Sequence, residues 1–139
     1  MFYYPMEAFE RVRMLGIDSP ETVAYRNKPY EYDGITNLTC LEYWGLRAKD
    51  FVKSKIEGRY VYIEFDRIAG LRGYYGRLLA YVYLNGSDFT AELVKLGYAR
   101  VYEEGDFSKE SEYTKYQDQA IQKKSGLWSC MNSSNLSKS

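Results

Sequence analysis

At 139 residues and 16.3 kDa the chain has the length of one domain, able to bury roughly two-thirds of its unfolded surface. Nineteen Lys and Arg balance nineteen Asp and Glu, which excludes a general basic footprint for nucleic acid and leaves phosphate recognition to a few placed arginines. The absence of histidine excludes imidazole acid–base catalysis and His-ligated zinc, so carboxylates, Arg, Lys and Tyr must do any proton or charge work.

Taken in order, Phe2-Tyr3-Tyr4 reads as a strand fragment, Pro5 to Ala8 as its turn and Phe9 to Ile17 as the next strand. Along that strand Val12, Met14 and Gly16 face one side and Arg13, Leu15 and Ile17 the other, so it is covered on both faces. Arg13 is then a largely buried guanidinium that needs an anionic partner. Asp18-Ser19-Pro20-Glu21 follows, with two carboxylates held at a proline-stiffened turn, a setting suited to a hard cation or a water. Residues 22–37 show no period and read as a long loop beside this segment.

Apolar residues at helical spacing place a helix over 41–57, closed by Gly58. Tyr60 to Asp66 alternates with period two, putting Val61, Ile63 and Phe65 inside, and a Gly-rich loop, 69–73, comes next. Gly76 to Leu84 is the strongest strand of the chain and ends in the tight-turn pair Asn85-Gly86. Asp88 caps a helix running to Leu96 with Gly97 as its stop. Tyr98 to Tyr102 is a last strand, and Ser108 caps a helix to about Lys124 whose apolar side is Tyr113, Tyr116, Ala120 and Ile121. Leu127-Trp128 tucks back onto the core, and the polar, patternless end is a frayed tail, giving a domain over 1–129 and a tail over 130–139.

Cys40 and Cys130 have no zinc-like or disulfide-framework spacing and are read as free thiols. The first residues lack the basic segment and apolar run of a leader, and no stretch approaches a membrane span; secretion would rest on a leader upstream. Sixteen tyrosines serve either half-buried packing or base stacking.

Short strands with three helices suggest a mainly β chain, economically an OB-fold. At this point the sequence resembles the staphylococcal nuclease (thermonuclease) family, from about Phe2 to Ser129. The likeness is carried by Arg13-Met-Leu-Gly-Ile-Asp18-Ser19-Pro20-Glu21, Tyr75-Gly76-Arg77 through Tyr83, Glu92-Leu-Val-Lys-Leu-Gly-Tyr-Ala99, and Gly126-Leu-Trp-Ser129, in that order and spacing. The resemblance implies a five-stranded Greek-key OB barrel with three helices and a calcium-dependent phosphodiesterase that cuts DNA and RNA to leave 3′-phosphate ends. It implies that Arg13 and Arg77 grip the phosphate, that Glu21 is the general base or water orienter, and that Asp18 with the backbone carbonyl of Ser19 binds Ca2+. Read without it, Arg13 and Arg77 could be strand arginines paired to carboxylates, and Asp18 and Glu21 turn residues capping amides. Glu64, Asp66 and Glu92 read as structural or solvated.

The pattern departs from the family in three places. The family's first strand, with an Asp-Gly-Asp turn supplying a second calcium carboxylate, precedes this chain's first residues; the expectation is a barrel with its first strand missing or incomplete, an edge open to strand-swapped dimerisation, and weak metal binding. Glu7 and Glu10 sit on the wrong turn to replace that ligand. Gly73 stands where the family has an acidic residue, with one extra residue between Asp66 and Arg77. Tyr102 lies near, not at, the family's base-stacking tyrosines. The competing reading is a weak or inactive nucleic-acid or protein binding module, like the degenerate domains of Tudor staphylococcal nuclease proteins; retention of Arg13, Asp18, Glu21 and Arg77 favours an enzyme. A third reading is a truncated product without a function of its own.

Overall fold

The structure, a computed structural model, describes residues 10–28, 31–32, 34–73 and 76–131. The expected strand fragment at Phe2–Tyr4 and its turn lie outside these residues.

β1 (Val12–Met14) and β2 (Ile17–Asp18) come first. They replace the single strand expected through Ile17, because the chain turns at Gly16, whose φ of +85° suits glycine. A Cβ there would also lie 2.4 Å from the Phe107 ring. The face alternation expected of one strand therefore stops at Leu15. α1 (Leu38–Ile56) begins three residues earlier than its apolar period suggests, since Asn37 caps it by accepting from the Cys40 amide at 3.0 Å.

β3 (Tyr62–Glu64) is shorter than expected, and Val61 and Phe65 are exposed rather than inside. The chain bends after Glu64 so that Asp66 enters the interior instead. Its carboxylate accepts from Tyr81 Oη at 2.7 Å, the Ser108 amide at 2.6 Å, Ser108 Oγ at 2.5 Å and the Ile68 amide at 3.1 Å. This also explains why Ser108 does not cap the last helix, as its spacing suggested: both its polar groups are committed to Asp66.

β4 (Leu78–Leu84) is the centre of the sheet. It pairs parallel with β1, in the register Arg13↔Leu79, and antiparallel with β3. It also pairs with β5 (Ser87–Asp88) across Asn85-Gly86, where both residues have positive φ as a tight hairpin requires. Asp88 caps α2 (Phe89–Lys95) through the Ala91 amide at 2.9 Å and also accepts from Tyr113 Oη at 2.8 Å. β6 (Arg100–Val101) pairs with β2, setting Asp18 directly opposite Arg100. α3 (Glu110–Lys123) and a 3-10 helix, Gly126–Cys130, are the last elements among the described residues. Three α-helices with this mixed sheet fit an OB-like fold.

Two apolar clusters result. The main one joins Leu15, Ile17, Tyr81, Val82, Leu93, Val94, Val101, Phe107 and Tyr113 beneath the sheet and helices. The second, of Tyr32, Ile35, Leu41, Ala120, Leu127 and Trp128, lies where the start of α1 meets the end of the chain. There Cys40 and Cys130 form a disulfide, with Cα atoms 5.9 Å apart, correcting the reading of two free thiols. Spacing along the chain carried no sign of the pairing, because 90 residues of fold bring the two together.

Candidate active site

The parallel pairing of β1 with β4 brings together two arginines distant in sequence. Arg13 stands on β1 and Arg77 immediately precedes β4, held there by Leu78, whose amide donates to the Arg11 carbonyl at 2.9 Å. Arg13 is half-buried rather than largely buried. Its Nη1 donates to the Ile17 carbonyl at 2.9 Å, its Nη2 lies 3.9 Å from Asp18 Oδ1, and its guanidinium sits 5.1 Å from the centre of the Tyr102 ring. Carbonyls and a cation–π contact thus share the task that a single anion was expected to fill.

Arg13, Asp18, Ser19, Glu21 and Arg77 all line one cavity of about 460 Å³. Arg13 and Arg77 also line a neighbouring groove of about 770 Å³, walled by Arg72, Tyr102 and Phe107 among others. The backbone of Glu21 is fixed from two sides. Its amide donates to Asn27 Oδ1 at 2.8 Å and its carbonyl accepts from Asn27 Nδ2 at 3.1 Å. Behind it α1 approaches at Gly45, where a Cβ would lie 2.5 Å from the Glu21 carbonyl. The Glu21 side chain itself is exposed.

Burial holds the Asp18 carboxyl above its ordinary range, against the pull of Arg100 and then Arg13. Glu31 is also raised, by burial and then by the charge of Asp18. Glu104 is lowered, chiefly by the hydrogen bond from Arg100. Asp18, Ser19 and Glu21 offer only oxygen donors, which suit a hard cation. Among the described residues no group of three or more Asp, Glu or Cys side chains is placed to hold a metal.

Arg100, Glu31 and Asn27 were not singled out in the sequence. Arg100 did carry a signal of the same kind as Arg13, a cation inside an apolar strand, Tyr98-Ala99-Arg100-Val101. Glu31 and Asn27 fall in the loop without a period and carried none.

Residues 11–130 match the family described as staphylococcal nuclease homologue, and the chain belongs to that family. Among its relatives is the uncharacterized protein MJ1439 of Methanocaldococcus jannaschii, 38% identical over 131 residues, covering 88% of this chain and 62% of that protein. A thermonuclease of Staphylococcus hyicus is 33% identical over 121 residues, covering 86% and 63%. The SPbeta prophage-derived endonuclease YokF of Bacillus subtilis is 33% identical over 122 residues, covering 86% and 37%. The chain thus spans less than two thirds of the length of each of these relatives.

Proposed function

We propose that the chain is a calcium-dependent nuclease that hydrolyses DNA and RNA on an OB-type barrel. The observation that carries this reading is the shared cavity: Arg13, Arg77, Asp18, Glu21 and Ser19 line one space, in a family whose relatives include a thermonuclease and an endonuclease.

Arg13 and Arg77 bind the non-bridging oxygens of the scissile phosphate. Charge builds on those oxygens as phosphorus becomes five-coordinate, so two guanidinium forks meeting it stabilise the transition state more than the ground state. Glu21, held at its backbone by Asn27, orients a water and takes its proton, the role left to a carboxylate in a chain without histidine. The water oxygen bonds to phosphorus, the bond from phosphorus to O5′ breaks, O5′ takes a proton from solvent water as it leaves, and Glu21 returns its proton to solvent, leaving a 3′-phosphate and a 5′-hydroxyl. Asp18 and the Ser19 carbonyl would hold calcium, which would supply Lewis-acid polarisation of a phosphoryl oxygen.

The test is cleavage of DNA and RNA with calcium, with EDTA, and for Glu21→Ala and Arg77→Ala. Loss of cleavage under EDTA and a drop of about 100-fold or more in either variant is expected. Calcium-independent binding of nucleic acid without cleavage would replace the enzyme with a binding module.

A further inference from the structure

The Arg100 side chain is only 8% exposed, yet three carboxylates converge on its Nη2: Glu104 Oε2 at 2.9 Å, Asp18 Oδ2 at 3.3 Å and Glu31 Oε2 at 3.7 Å. Its position is dictated by the backbone, because β6 pairs with β2 in the register that sets it opposite Asp18. Its guanidinium lies 5.5 Å from the centre of the Tyr32 ring, and Tyr32 Oη donates to the Asp18 carbonyl at 3.4 Å. The Val101 amide donates to Gln117 Oε1 at 2.7 Å, which anchors β6 to α3.

Arg100 therefore approaches Asp18 from the side away from Arg13. It engages Oδ2 at 3.3 Å, whereas Arg13 stands 3.9 Å from Oδ1, too long for a hydrogen bond, and the Glu31 side chain also hydrogen-bonds the Asp18 carboxyl, so Arg100 is the close cationic partner of that carboxylate. We propose that Arg100 is a positioning residue: it fixes the Asp18 carboxylate at the calcium site, and Glu104 in turn fixes Arg100. This rests on the nuclease reading for its metal, and adds a residue that does not itself line the 460 Å³ cavity.

Two physical effects of Arg100 on a nearby cation oppose each other, and their opposition makes the proposal testable. A fixed positive charge repels a divalent cation, so a residue acting by charge alone would bind calcium more tightly once neutralised. A residue that orients a ligand does the reverse, and loss of such partners lowers metal affinity by about 10- to 100-fold.

The experiment titrates the full chain with terbium(III), read by luminescence sensitised by its aromatic residues and displaced with calcium. Calcium-dependent cleavage is measured in parallel. Arg100→Met is expected to weaken calcium binding by about tenfold or more, with the calcium requirement for cleavage rising in step and the rate at saturating calcium changing less. Arg100→Lys should recover part of the loss. Glu104→Gln, at an exposed position, should weaken binding by about two- to fivefold without unfolding the chain, and it decides the matter if Arg100→Met does not fold. Unchanged or tighter calcium binding in folded Arg100→Met, or in Glu104→Gln where Arg100→Met is unfolded, would overturn the proposal. Wild-type protein that binds calcium but cleaves nothing would remove the nuclease reading and leave the role of Arg100 to the titration. Wild-type protein that binds no calcium would remove both.

Discussion

Replacing Cys40 and Cys130 together by alanine opens a covalent loop whose ends are 90 residues apart. The entropy that such a loop withholds from the unfolded chain corresponds to about 4.6 kcal/mol at 25 °C, and measured losses for native disulfides run from about 2 to 5 kcal/mol. For 139 residues, an unfolding entropy of about 2.1 cal/mol/K per residue converts this range to a fall in Tm of about 7 to 17 °C. The assay is thermal unfolding followed by far-UV circular dichroism, with reduced wild-type protein as a control that creates no cavity at the two positions. Both should fall together, and denatured, unreduced wild-type protein should show no free thiol. A shift under about 3 °C in both samples, or titration of two thiols, would refute the argument that this bond closes the fold. The second apolar cluster should loosen at the same time, because Tyr32 and Trp128, with ring centres 6.4 Å apart, pack beside the bridge.

Further outcomes concern acid stability, packing and the phosphate grip. Burial alone would raise the pKa of Asp66, but its bonds from Ser108, Tyr81 and Ile68 outweigh that and lower it from 3.8 to about 2. A depressed carboxyl stabilises the fold above its unfolded value and loses that contribution as pH falls through the folded one. About 2 kcal/mol should therefore disappear between about pH 4 and 2, and urea unfolding of Asp66→Asn should show a weaker pH dependence there. Gly97→Ala should cost about 2 kcal/mol or more in the same assay. Its φ is +77°, and the added methyl would lie 2.2 Å from the Ser125 carbonyl. Arg13→Lys keeps the charge but loses the planar fork, so kcat/KM for DNA should fall by about tenfold or more while Tm changes little; unchanged kinetics would remove Arg13 from the phosphate site.

What the sequence made legible were features settled within a few residues. The Asn85-Gly86 turn, the Asp88 cap and the Gly97 stop each follow from local backbone chemistry, and each stands in the structure. Features settled by distant partners were harder to read. Asp66 looks like the end of an alternating strand until Ser108 and Tyr81 are placed around it. Phe65 looks internal until the chain bends away from β4. The two cysteines look unrelated until α1 and the last 3-10 helix meet. The candidate site divides the same way. Arg13, Asp18, Glu21 and Arg77 stood out through their order and spacing, whereas Arg100 became visible only through the strand register opposite Asp18. Asn27 had no local signal, since its side chain acts on the backbone of Glu21 six residues earlier.

The Cys40–Cys130 bridge also divides the candidate site by topology. Arg77, Arg100 and Glu104 belong to the stretch that the bond closes into a ring, whereas Arg13, Asp18 and Glu21 belong to an arm outside it. The arm is joined to the ring by one covalent link at Cys40 and otherwise by weak contacts. Among these are the Leu15 amide to the Ala80 carbonyl at 3.0 Å, the Tyr102 amide to the Gly16 carbonyl at 2.8 Å, and Arg100 with Asp18. The bridge therefore constrains only the ring half of the site directly, while the arm half is held by strand pairing and by the burial of Leu15 and Ile17 in the main core.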